Sequence, residues 1–107
     1  MNVIMVIIET PIFTKLIKET MTDDEYRRLQ EALIVNPYLG DTIKHSGGLR
    51  KIRWSQNTQG KRGGARVIYY WKNDLEQIYM IFVFTKKTQA DLSANQLKAL
   101  RKIVQEW

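Results

Sequence analysis

The chain has 107 residues, 44% of them hydrophobic, and a formal net charge of +6. That is room for one small domain spanning 1–107, too apolar to be disordered. It holds no cysteine, which excludes disulfides and thiolate chemistry and suits a reducing cytoplasm, while the basic balance points to a polyanionic partner.

Val3 to Ile8 is β-branched and apolar. It lacks a basic leader and a cleavage site and is too short to span a membrane, so it is neither a signal peptide nor an anchor. It predicts a strand apolar on both faces, near the middle of a sheet or covered on both sides. Thr10-Pro11 then predicts an N-cap with proline at the first helical position, and Ile12, Phe13, Leu16 and Ile17 form the stripe of a short helix ending near Thr20. Thr22-Asp23-Asp24-Glu25 is a capping box that opens a second helix, with Tyr26, Leu29 and Leu33 on its buried face and Asn36-Pro37 as its stop. The two helices are expected to lie as a hairpin on one face of the sheet.

Tyr38 to Gly48 is a polar connection punctuated by glycine. From Lys51 the chain alternates, with Lys51, Arg53 and Ser55 on one face of a strand and Ile52 and Trp54 on the other. Asn57 to Gly64 reads as a loop, Arg66 to Trp71 and Gln77 to Phe84 as two further strands of an antiparallel meander. Ser93 and Gln96 form a second capping box, opening a last helix with Leu97, Leu100, Val104 and Trp107 on one stripe. The order is β-α-α-β-β-β-α: an α+β domain with helices packed on a small, mostly antiparallel sheet of about four strands.

The charge is not evenly spread. Between Thr42 and Asn73 stand eight Lys or Arg (Lys44, Arg50, Lys51, Arg53, Lys61, Arg62, Arg66 and Lys72) and no Asp or Glu. The rest of the chain carries nine basic and eleven acidic residues, so the whole excess sits in this segment. Lys51 and Arg53 share a strand face, Arg66 starts the next strand, and Lys87 follows the last one. If the strands are neighbours, four cations converge on one surface, and an RNA phosphate backbone is the economical counter-ion. Arg50, Lys61, Arg62, Lys86 and Lys44 are the flanking candidates for RNA contacts. The alternative is a solvated basic face. The Gly60–Gly64 loop precedes a strand and lacks P-loop spacing, so it is no nucleotide cradle. His45 is the only histidine, no thiol accompanies it, and no metal site is expected. Trp54, Tyr69, Tyr70 and Trp71 can stack on bases, although alternation assigns about half of them to the core.

The element order, the strand GLRKIR, the strand G-x-R-V-I-Y-Y and the exit Phe-Thr-Lys-Lys resemble the RelE/ParE superfamily of toxins from toxin–antitoxin pairs. GDTIKHSGGLRKIR, KRGGARVIYYW and DLSANQLKAL most resemble its HigB branch, and the resemblance covers essentially the whole chain. It implies an mRNA endonuclease that enters the A site of the 70S ribosome, against 16S rRNA, without metal or other cofactor. The 2′-hydroxyl attacks the adjacent phosphate and leaves a 2′,3′-cyclic phosphate and a 5′-hydroxyl. By motif position Lys51, Arg53, Arg66 and Lys87 match the family's catalytic cations. The implied antitoxin is a helix-turn-helix protein of the HigA kind. One departure stands out: where RelE-like members place a tyrosine after the last basic residue, this chain reads Thr88-Gln89-Ala90-Asp91-Leu92. The same fold also supports a gyrase inhibitor of the ParE kind, and the same basic face a non-catalytic RNA- or ribosome-binding module.

Overall fold

Side-chain capping sets where each helix begins. In the computed structural model, which describes residues 5–55 and 64–106, the Thr10 hydroxyl accepts the Phe13 N–H at 3.1 Å and starts α1, Pro11–Thr20. Thr22 accepts from the Glu25 N–H while the Glu25 carboxylate accepts from the Thr22 N–H, opening α2, Asp23–Val35. Ser93 and Gln96 make the same reciprocal pair ahead of α3, Ala94–Gln105. Each box satisfies backbone donors that a helix start otherwise leaves open.

The strands are β1, Val6–Glu9; β2, Asp41–Thr42; β3, Arg50–Trp54; β4, Ala65–Lys72; and β5, Gln77–Thr85. They form one sheet in the order β1-β5-β4-β3-β2. The β2–β3, β3–β4 and β4–β5 pairs are antiparallel and β1–β5 is parallel. Two expectations need correction. The stretch after Tyr38 is not all connection, because Asp41 and Thr42 pair with Lys51 and Arg50 as a fifth strand. And β1 is an edge strand, with Val6 47% exposed, not a central one. Hydropathy reads a strand's two faces; it carries no information on lateral neighbours.

Helices cover both faces of the sheet. Phe13, Ile17, Leu29 and Leu33 of α1 and α2 pack against Ile52, Val67, Tyr69, Ile78, Met80 and Val83. Leu100 and Val104 of α3 pack against Leu49, Ile68, Ile81 and Phe84 on the other side. Ile12 of the predicted stripe is 45% exposed. The register of β4 on β5 slips between Ile68, opposite Phe82, and Tyr69, opposite Met80, leaving Ile81 as an extra residue. This bulge switches the phase of β5, so Met80 and Val83 face one core and Ile81 and Phe84 the other. The Ile81 carbonyl is met by the Thr10 hydroxyl at 2.8 Å.

Several polar groups on the α1–α2 side are partnered, although the buried indole N–H groups of Trp54 and Trp71 there have no hydrogen-bond partner. Glu9 accepts from the Tyr26 hydroxyl and from the Thr14 hydroxyl, each at 2.6 Å, tying both helices to β1. Burial, then the Glu9 hydrogen bond and charge, push the Tyr26 phenol well above its usual range. The fully buried Tyr69 hydroxyl donates to the Pro37 carbonyl at 2.6 Å and accepts the Gly40 N–H at 2.8 Å. A Cβ on Gly40 would stand 2.8 Å from the Tyr69 ring, so this approach needs glycine. Among the described residues no helix is long and apolar enough to cross a membrane.

Candidate nucleic-acid interface

The basic face is built by the register of three strands. Arg53 lies directly opposite Arg66, and Arg66 opposite Phe84. Two residues along, Lys51 lies opposite Ile68, and Ile68 opposite Phe82. Because side chains on one rung share a face, Lys51, Arg53 and Arg66 all project to the α3 side, as the alternation of β3 predicts. Phe82 and Phe84, with ring centroids 6.0 Å apart, belong to the same face.

Arg53 is exposed, whereas Arg66 is only 8% exposed. Directly opposed like charges repel, and placing one of the two guanidiniums largely out of water adds a desolvation cost. Arg66 Nη1 donates to the Gly64 carbonyl at 3.3 Å. Gly64 has a φ of +70°, and a Cβ there would come 2.6 Å from the Trp54 carbonyl. Glycine at this position therefore sets the entry of β4 and with it the aim of Arg66.

The counter-charge comes from a residue that sequence reasoning passed over. Asp91, on the connection from β5 to α3, accepts from Lys51 Nζ at 3.1 Å. Its carboxyl is held below the usual carboxylate range, first by the Leu92 N–H, then by the Lys51 hydrogen bond and charge and the Arg66 charge. Asp91 stands 40 residues from Lys51 in the chain, and no spacing rule links the two. The only signal was negative: a carboxylate where a tyrosine was awaited.

The remaining predicted residues divide. β5 ends at Thr85 on the rung next to Arg66 and Phe84. Lys86 and Lys87 follow it, exposed, on a turn closed by Thr88 N–H to the Thr85 carbonyl. They stand at the rim where Arg66 begins β4. Arg50 is placed elsewhere. It lies opposite Tyr69, donates from Nη1 to the Gly40 carbonyl at 2.6 Å, and sits 5.1 Å from the Tyr38 ring centroid. That is the α1–α2 side, and its contacts there hold the β2 approach in place. Lys44 is exposed on the β2–β3 loop, beside His45, whose carbonyl accepts from Arg101 of α3 at 3.4 Å. Arg101 joins Lys98, Lys102 and Gln105 in lining a shallow basic depression along α3 that the charge count along the sequence did not single out. Lys61 and Arg62 lie outside the described residues, as does Trp107.

The aromatics are mainly structural. Tyr69 is fully buried, and Trp54 and Trp71 are half-buried against the α1–α2 core. Tyr70 packs on the α3 side. Phe84 of β5 shares a rung with Arg66, and Phe82 lies two residues along on the same face. Among the described residues no three His, Asp or Glu side chains gather closely enough to hold a metal ion. Among the described residues this face brings together Lys51, Arg53 and Arg66 with Asp91 against Lys51, a set that can bind a phosphodiester and stabilise added negative charge on it.

The comparisons with known proteins agree with the fold. The family model described as the RelE toxin of the RelE/RelB toxin–antitoxin system matches residues 5–107. The crystal structure of the intact E. coli RelBE toxin–antitoxin complex contains a similar chain, at a TM-score of 0.58 and 11% identity, over 75% of this chain and 94% of that one. At that identity the likeness speaks for the fold alone.

Proposed function

The chain belongs to the RelE family of toxins from toxin–antitoxin systems, and on that premise we propose that it is a ribosome-dependent mRNA endonuclease of the HigB kind. It acts in the cytoplasm, cuts the codon exposed in the A site, and thereby stops translation. The observation that carries this reading is the direct opposition of Arg53 and Arg66, with Lys51 one step away on the same face. A protein gains no stability from setting two arginines on one rung of a sheet face, one of them largely buried. A phosphate between them repays the arrangement.

The chemistry needs little covalent participation from the protein. RNA supplies its own nucleophile, the 2′-hydroxyl. The protein must hold that oxygen in line with the P–O5′ bond and stabilise the charge that grows on the phosphorane oxygens. Arg66 and Arg53 clamp the non-bridging oxygens, Lys51 adds a third donor, and Lys87 at the rim protonates the departing O5′. Lys86 and the exposed Lys44 contact flanking backbone. Arg50, engaged with Gly40 and Tyr38, supports the scaffold instead. The partner that silences this activity is a cognate antitoxin, a helix-turn-helix protein of the HigA kind.

The test is cleavage. Purified protein is mixed with 70S ribosomes carrying a defined mRNA, with the A site open or filled, and ends are mapped by primer extension. Cuts confined to an open A-site codon are expected. An intact mRNA under conditions where the protein still arrests growth would overturn the proposal in favour of gyrase inhibition or binding without cleavage.

A further inference from the structure

A 2′-hydroxyl that attacks phosphorus must lose its proton, and an ammonium or guanidinium has no lone pair to take it. The turn after Lys87 has neither the tyrosine nor a histidine to take it. It does carry a carboxylate. Asp91 has its side chain 63% exposed, and its Oδ1 stands 3.1 Å from Lys51 Nζ. The Leu92 N–H, donating to the same oxygen at 2.8 Å, fixes the carboxylate against its own backbone. Gln89 Nε2 donates to the Asp91 carbonyl at 2.8 Å and to Gln96 Oε1 at 2.6 Å, so the turn is braced on the first turn of α3. A proton acceptor is thus held, open to solvent, beside the cations that bind the phosphate.

We propose that Asp91 is a catalytic residue that accepts the proton of the attacking 2′-hydroxyl. This rests on the endonuclease reading and supplies the step which that reading leaves without a group. Other acceptors fit less well. Asp41 lies opposite Lys51 in the β2–β3 ladder, but the carboxylate that Lys51 contacts is that of Asp91. His45 sits on the β2–β3 loop, with its carbonyl on Arg101.

In the empty protein the contacts with Leu92 and Lys51, with Arg66 nearby, hold this carboxyl below its usual range, which makes it a weak base. Substrate changes that. When a phosphate takes the Lys51 ammonium and the Arg66 guanidinium, Asp91 loses a hydrogen bond and gains an anionic neighbour. Both changes raise its proton affinity, so the base strengthens as RNA docks. The step balances as follows. The O2′–H bond breaks and its proton goes to an Asp91 oxygen. The O2′–P bond forms, the P–O5′ bond breaks with its electron pair on O5′, and O5′ takes a proton from the Lys87 ammonium. Asp91 then returns its proton, and Lys87 regains one, through water.

Single-turnover cleavage on mRNA-programmed ribosomes tests this with Asp91→Asn, Asp91→Glu and, for comparison, Asp41→Asn. Asn cannot accept the proton, and loss of a general base slows the step by about 10²–10⁴-fold. The Asp91→Glu protein is expected to recover part of the rate, and Asp41→Asn to cut like the parent protein. The acid limb of the parent's pH–rate profile should vanish in Asp91→Asn. Binding to ribosomes whose mRNA carries a 2′-deoxynucleotide at the cut site should not weaken, because the Lys51–Asp91 bridge opposes phosphate binding. An Asp91→Asn protein that cuts within about threefold of the parent, whether or not it binds RNA more tightly, makes Asp91 a displaced counter-ion and overturns the inference alone. If the parent itself leaves the mRNA intact, the endonuclease reading fails and this inference falls with it.

Discussion

The two faces of the sheet handle charge in opposite ways. On the α1–α2 side, Glu9 accepts from two hydroxyls, Tyr69 joins Pro37 to Gly40, and Arg50 binds the Gly40 carbonyl while lying over Tyr38. Each of these polar groups closes a contact that locks one element to another. On the α3 side, Arg53 and Arg66 share a rung and Lys51 leans on a carboxylate brought in from a turn. Both faces are built by the same strands, and even by alternate residues of β3. One face ties elements of the fold together; the other gathers like charges on one surface. Mutations should therefore separate stability from activity according to which way a side chain points.

The largest effect should come from the first face. Phe13 is fully buried, and its ring centroid lies 5.7 Å from that of Tyr26. Phe13→Ala should cost about 3–5 kcal/mol in denaturant unfolding, through lost transfer energy and the cavity left behind. Ribosome cleavage by the fraction still folded should be unchanged. A slower rate per folded molecule would mean that the two faces are coupled through the sheet. Arg66→Ala should show the reverse. Losing one preorganised donor to a developing oxyanion slows a reaction on the order of 10²–10³-fold. The unfolding midpoint should move little, since lost packing is offset by relief of the opposition to Arg53. A stability loss as large as that of Phe13→Ala, with the cleavage rate intact, would make Arg66 a core residue and dissolve the distinction.

Much of this contrast was legible in the sequence, and the limits were physical ones. Both capping boxes form, because Thr22–Glu25 and Ser93–Gln96 are local signals completed within four residues. The two-residue period of β3 put Lys51 and Arg53 together, because a strand's alternation is also local. What failed was lateral or long-range. The position of β1 at the edge depends on pairing with β5, about seventy residues on, which hydropathy does not encode. The alternation also extends before Lys51: Arg50 points to the α1–α2 side and Leu49 to the α3 core. Asp91 was invisible because its partner lies 40 residues away in the chain. The bulge at Ile81 was hidden as well, since in an all-apolar strand a phase change leaves no mark on hydropathy.

The smallest effect probes the contrast most directly. Arg53 is the exposed member of the opposed pair, and its replacement leaves Arg66 and the core in place. Arg53→Gln keeps the length and hydrogen-bonding capacity of the side chain and removes its charge. Without ligand the variant should be more stable than the parent, by about 0.2–1 kcal/mol at low salt, since a like-charge cross-strand pair is relieved. Because Arg53 is exposed, salt should screen most of that difference. Cleavage should fall at the same time, as one clamp on the phosphate is lost. Inorganic phosphate or sulfate sharpens the comparison. Each should stabilise the parent more than the variant, because two arginines attract the anion more strongly than one and it binds only the folded state. If Arg53→Gln destabilises the protein without ligand, or if phosphate stabilises both proteins equally, the Arg53–Arg66 rung is ordinary surface charge, and the phosphate clamp proposed for it fails.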